Sequence, residues 1–175
     1  LVYDWSDRTR VAQLEAEYKK AEVVRSRQEL ISILRPVAGE RILDIGCGPG
    51  FLLADLLRAE GALGLAAGVD LSEAMVELAQ QRAAAASASG AVSLQVSGAE
   101  ELPFPDASFD AVVVMQVLLY VRDVPKALRE AKRVLKPGGR LVVLETDWDS
   151  LVVRTADKER WGRLFEACCS TFLDP

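Results

Sequence analysis

The residues of this chain best placed to do chemistry are two carboxylates and a run of glycines. Asp44 lies near the end of an apolar run, Arg41-Ile42-Leu43-Asp44-Ile45, and Gly46-Cys47-Gly48-Pro49-Gly50 follows directly. Glycine lets the backbone turn sharply and approach a ligand closely. Residues 51–58 read as a helix, so the loop sits at a helix N-terminus, where free N–H groups and the dipole favour an anionic or polar ligand. Asp70 ends a second apolar run about 20 residues later, where doubly wound folds place an acidic residue to accept hydrogen bonds from ribose hydroxyls. A helix cap is the plainer role for Asp70, but Ser72 can take that role and leave Asp70 for a ligand. The plainer reading of the loop is a tight strand-to-helix turn with no ligand. Its G-x-G-x-G spacing differs from the G-x-G-x-x-G of a dinucleotide fold, and Pro49 removes a donor that a pyrophosphate cradle would use.

Missing residue types narrow the chemistry further. There is no histidine, which excludes Ser-His-Asp and Cys-His catalysis and His-ligated metal sites, so no metal is expected. The three cysteines are Cys47, Cys168 and Cys169. With no C-x-x-C pair they read as packed thiols in a reducing, cytoplasmic compartment. A net charge of -5 argues against a nucleic-acid partner. No apolar run is long enough for a membrane span, and the visible start does not read as a signal peptide. Half of the 175 residues are hydrophobic, enough for one folded domain with a real core. Nothing in the composition sets an oligomeric state. The start at Leu1 rather than Met, and the stop at Pro175 just after a helical pattern, suggest that both ends are cut.

The elements that must position these residues alternate in type. Residues 9–34 are charged and periodic, one or two amphipathic helices, with Arg25 and Arg27 near the end; Arg27 is a candidate partner for a ligand carboxylate, against a solvated face. Pro36 and Gly39 close this segment. Strands are expected at residues 42–45, 65–71, 91–96, 109–115 and 140–145. Helices are expected at 51–60, 72–88, 124–135 and 156–172, with a loop or short helix at 116–121. Such alternation implies a parallel, doubly wound sheet, with a ligand crevice beyond the strand carboxyl ends at the topological switch point. Asp44, Gly46, Asp70, Ala99, Glu100, Gln116 and Thr146 all fall at such ends. Residues 1–36 read as an N-terminal helical cap and 37–175 as the ligand-binding α/β domain.

In this order the chain resembles the class I S-adenosylmethionine-dependent methyltransferases, and more narrowly the type 11 group that includes the ubiquinone/menaquinone C-methyltransferases. The segments that carry the resemblance are Leu43-Asp44-Ile45-Gly46-Cys47-Gly48-Pro49-Gly50, Val69-Asp70-Leu71-Ser72, Ala99-Glu100-Glu101-Leu102-Pro103-Phe104, Phe109-Asp110 and Leu135-Lys136-Pro137-Gly138-Gly139-Arg140-Leu141. The resemblance implies a Rossmann-like α/β fold and an enzyme that binds S-adenosylmethionine and leaves S-adenosylhomocysteine. The implied reaction is methyl transfer to a small-molecule acceptor by in-line displacement.

It also implies that Asp44, Gly46 and Gly48 bind the methionine part, Asp70 the ribose hydroxyls, Leu71 and Met75 the adenine face, and Ala99 and Glu100 its edge. Gln116 would lie beside the methionine amino group or sulfonium. Gly98 stands where the family often has Asp, so Ser97, Glu100 or water would meet the adenine amino group. The family's antiparallel sixth and seventh strands are not found before Pro175, in keeping with a cut chain. No catalytic residue is singled out; for a hydroxyl acceptor the base candidates are Glu145, Asp147, Asp149 and Tyr120, and Trp148 and Tyr3 could wall the acceptor pocket. Two alternatives remain: a non-catalytic cofactor-binding adaptor and a nicotinamide-dependent oxidoreductase.

Overall fold

The structure is a computed structural model that describes residues 14–59, 63–86 and 91–146. Five strands, β1 Arg41–Ile45, β2 Leu65–Asp70, β3 Val92–Val96, β4 Phe109–Met115 and β5 Leu135–Leu144, form one sheet in the order β3-β2-β1-β4-β5. Every neighbouring pair is parallel. The helices are α1 Ala21–Leu34, α2 Phe51–Ala59, α3 Glu73–Ala86 and α4 Val124–Val134, with a 3-10 turn at Leu118–Tyr120. The chain moves outward from β1 through β2 to β3, then returns to lay β4 on the other side of β1. The switch point therefore lies between β1 and β4, as in the doubly wound α/β fold expected from the sequence.

Strand periodicity explains why both faces are covered. Ile42, Ala66, Ala111 and Val113 point into one core with Leu30 and Leu34 of α1, Leu52, Leu53 and Leu56 of α2, and Ala79 of α3. Leu43, Ile45, Ala67, Val69, Val112 and Val114 alternate into a second core with Ala131 and Val134 of α4. Buried on both sides, the central strands read as near-continuous apolar runs. The N-terminal helix α1 shares its buried leucines with the sheet.

Several boundaries differ from expectation. The N-terminal helical stretch breaks at residues 19–20, and α1 ends at Leu34 because Arg35 adopts a left-handed conformation, φ 49°. The turn at 136–139 lies inside β5: the register runs Phe109↔Leu135 and then Ala111↔Arg140, so these residues bulge out opposite Asp110. A bulge tolerates the missing N–H of Pro137 and gives Gly138 its φ of 78°. The helix expected at 156–172, and Tyr3, Asp147, Trp148 and Asp149, lie outside the described residues. So does the region after Thr146.

One ion pair ties the 102–106 loop to α4. Arg133 donates to Phe104 O (2.8 Å), Leu102 O (3.0 Å) and the Glu130 and Asp106 carboxylates. Glu130 accepts in turn from Leu102 N at 2.8 Å. The guanidinium beside Glu130 holds its carboxyl down at about 2, against the opposing pull of desolvation. Arg133→Ala is expected to cost about 2 kcal/mol in chemical denaturation, roughly 4–8 °C in Tm. Because the folded-state value is depressed, the stability Glu130 contributes is present above about pH 4.5 and is lost as pH falls through about 2. The gap in unfolding free energy between wild type and Glu130→Gln should shrink over that window.

Candidate functional site

The carboxyl ends of β1, β2 and β4 open on a cleft of about 330 Å3, a size suited to a small organic ligand. The loop after β1 forms its floor. Gly46 and Gly48 have φ of +70° and +50°, and a side chain at Gly46 would overlap Val117, while one at Gly48 would meet the Tyr18 hydroxyl at 3.2 Å. Both positions need glycine for their backbone angle as well as for space. The loop's N–H groups are not free, contrary to expectation. Gly46 N and Cys47 N both donate to Val69 O (2.8 and 2.9 Å) and Gly50 N donates to Cys47 O (3.0 Å). Gly48 N donates to Asp70 Oδ2 at 2.9 Å. The loop is thus no anion cradle; it is a spacer that brings the carboxylates to the cleft.

Asp70 is correspondingly less free than the sequence suggested. Its Oδ1 accepts from Ser72 N at 2.9 Å, while Ser72 Oγ accepts from Met75 N at 3.4 Å, so the two residues share the cap of α3. Backbone N–H groups of Ser72, Gly48 and Leu71 all act on this carboxylate, which keeps room for a further donor. Burial raises the Asp70 carboxyl, and its backbone hydrogen bonds pull it partly back.

Asp44 is the unusual member. It is 2% exposed, lines the cleft and has no hydrogen-bond partner among the described residues. Burial, and then the nearby Asp70, push its carboxyl up to about 8.

The other expected residues divide. Gly46, Gly48, Leu71, Met75, Ala99, Gln116 and Arg27 line the same cleft. Leu71 is 76% exposed at the rim and Met75 2% exposed inside. Gln116 takes a left-handed conformation, φ 56°, and its Oε1 accepts from Thr146 Oγ1 at 2.9 Å. The Arg27 guanidinium is already engaged: Nε donates to Asp55 (2.8 Å) and Nη1 to Tyr18 O (2.8 Å). Glu100 does not line the cleft; its carboxylate accepts from Asp123 N at 2.7 Å, ahead of α4. Ser97, the other candidate for the adenine edge, does line it. Glu145 Oε1 accepts from Val117 N and Leu118 N, both at 2.8 Å, and so holds the turn after β4. Cys47 is buried in the core against α2, and burial pushes its thiol up.

Sequence reasoning missed Tyr18. Counted there as an apolar helix position, its ring stacks on Phe51 (5.4 Å, 4°) and also lines the cleft. Burial pushes its hydroxyl up to about 12, with Asp44 and Asp70 adding to the shift. A helix pattern shows which face is apolar but does not show that this face meets the glycine loop.

Among known proteins, residues 43–143 match the family described as "Methyltransferase domain". The ubiquinone/menaquinone biosynthesis C-methyltransferase UbiE of Geotalea daltonii is 40% identical over 60% of this chain and 45% of its own length. The 27-O-demethylrifamycin SV methyltransferase of Amycolatopsis mediterranei is 40% identical over 68% of this chain and 43% of its own. The crystal structure of the YcgJ protein from Bacillus subtilis superposes with a TM-score of 0.62 at 35% identity, covering 69% of this chain and 50% of that one. The chain spans less than half the length of the curated relatives it matches.

Asp44 supplies a test that needs no ligand. Its folded-state carboxyl is harder to ionise than in the unfolded chain, so its contribution to stability falls as pH rises from about 4 to about 8. Asp44→Asn removes the buried charge and should raise Tm by about 4–8 °C at pH 8.5, with a much smaller gain at pH 5. Equal gains at both pH values would contradict this account.

Proposed function

The chain belongs to the methyltransferase-domain family of class I S-adenosylmethionine-dependent enzymes, and from that premise we propose that it transfers a methyl group from S-adenosylmethionine to a small-molecule acceptor. The observation that carries the reading is the pairing of two carboxylates, Asp44 and Asp70, on one cleft whose loop N–H groups are spent inside the protein. That donor set suits a ligand bearing hydroxyls and a cation. It disfavours a pyrophosphate, and with it the nicotinamide alternative. When bound, S-adenosylmethionine supplies a methyl group already activated on a sulfonium.

The chain's own part is binding and alignment. Asp70 keeps acceptor capacity for a ribose hydroxyl beside its backbone hydrogen bonds. Leu71 and Met75 offer an apolar wall to the adenine, with Ser97 and Ala99 at its edge. Asp44, Gly46, Gly48, Arg27 and Gln116 surround the methionine end. Holding an acceptor in line with the methyl group and excluding water can supply about 7–11 kcal/mol of barrier reduction. No base is required for a thiolate, amine or enolate acceptor. Glu145, a candidate base from the sequence, spends one oxygen on two backbone N–H groups. The acceptors named for the two relatives, a quinone carbon and a rifamycin oxygen, differ in chemistry, so the acceptor here is proposed only as a small organic molecule.

Calorimetric titration with S-adenosylhomocysteine, beside NADH, tests the reading. Binding of the first alone is expected, weakened at least tenfold, about 1.4 kcal/mol, in Asp70→Ala. A preference for NADH would overturn the proposal.

A further inference from the structure

We infer that Glu145 is a positioning residue for the cofactor: it holds the turn after β4 so that Val117 lies over the glycine loop, an inference that rests on the cofactor reading above. Leu144, Glu145 and Thr146, at and just beyond the end of β5, grip three consecutive residues beyond β4. Leu144 O accepts from Gln116 N at 2.8 Å. Glu145 Oε1 accepts from Val117 N and Leu118 N, both at 2.8 Å. Thr146 Oγ1 donates to Gln116 Oε1 at 2.9 Å. The turn needs such a grip, because Gln116 has a φ of 56°, which a residue with a side chain keeps only where its surroundings hold it.

The turn carries Val117 onto the loop after β1. Both Val117 methyl groups fill the space that a side chain at Gly46 would need. The loop is thereby held from two sides: Val69 O and Asp70 bond it from β2, and Val117 packs on it from the β4 turn. Glu145 itself does not line the cleft, whereas Gln116, Val117, Tyr120 and Val121 do, so it acts through the turn. A role in stability alone fits it poorly. Its Oε2 is buried and has no hydrogen-bond partner among the described residues, and a buried acceptor without a donor costs folding free energy. The oxygen that is used is used on the turn. A ligand filling the cleft and the Glu145 hydrogen bonds favour the same arrangement of Val117 and the loop, so each strengthens the other.

Calorimetry of the full chain with S-adenosylhomocysteine reads this without a methyl acceptor. Glu145→Ala leaves two backbone N–H groups without their acceptor and should weaken binding about tenfold. Glu145→Gln keeps a side-chain oxygen for both and should bind within about twofold of wild type. Val117→Ala removes the methyl groups from above Gly46 and should also weaken binding. Because Glu145 acts through Val117, the two losses overlap: in a Val117→Ala background, Glu145→Ala should cost less than about twofold more. A merely structural role would lower Tm and leave the two effects on affinity independent. Wild-type amide exchange gives a readout that no variant's folding affects. The Val117 and Leu118 N–H groups should exchange about tenfold more slowly once S-adenosylhomocysteine is bound. Wild-type affinity in Glu145→Ala, an equal loss in Glu145→Gln, losses that add in the double variant, or unchanged exchange each overturns the inference and leaves the cofactor reading standing. Failure of S-adenosylhomocysteine to bind the wild-type chain overturns both.

Discussion

The site depends on the end of β2 acting as an anchor for the loop that leaves β1. Val69 O takes the N–H groups of Gly46 and Cys47, and Asp70 takes those of Gly48 and Ser72. Two adjacent residues of one strand therefore fix a loop from its neighbour and the first turn of the helix that follows. Hydrogen bonds to an ionised acceptor are roughly twice as strong as neutral ones, so the clamp is firm where the backbone is least regular. Ile45↔Val69 pairing in β1–β2 sets the register that makes it possible. Slipping the pairing by one residue would turn Asp44 into the opposite core and lift Asp70 from the loop.

The cleft holds features that a fold selected for stability alone would lack. Asp44 is a buried acid without a hydrogen-bond partner among the described residues, and Gln116 sits in left-handed space without being glycine. Each costs free energy in the unliganded protein. The cost is offset by two dense cores on either side of the sheet, where Phe109, Leu53, Ile42 and Leu43 are fully enclosed. Glu145 and Thr146 restrain the strained turn from β5: one through the N–H groups of Val117 and Leu118, the other through the Gln116 amide. Strain and a buried carboxyl lie together at the carboxyl ends of the strands, and the regular pairing lies below them.

The architecture was legible because its signals are local. Apolar runs such as Phe109–Met115 and glycine turns mark strands and their ends without reference to the rest of the chain. The positions of the two carboxylates were legible for the same reason, since Asp44 and Asp70 lie in the last residues of β1 and β2. What could not be read was who spends which hydrogen bond. The loop N–H groups looked available until Val69 O and Asp70 were placed against them, across more than 20 residues of sequence. The sequence does not show that Arg27, which lines the cleft, already pairs with Asp55, or that the Glu100 carboxylate accepts from Asp123 N ahead of α4. The turn at 136–139 was correctly seen as a break, but only the ladder to β4 shows that pairing resumes on both sides of it.

The order of strands has a consequence for how the chain assembles. β1 lies at the centre, yet its second neighbour is β4, and Ile42 finds Ala111 only after most of the chain exists. The opposite end of the sheet is tied over longer spans still: Arg140 grips the Glu40 carboxylate with both terminal nitrogens and reaches Leu34 O. Contacts this distant in sequence carry a high loop-closure entropy and slow the search for the native state. During synthesis, β1 and β2 must wait with Leu43, Ile45 and Val69 uncovered until β4 arrives to share their core. The central strand is thus also the segment most open to misassociation on a nascent or partly folded chain.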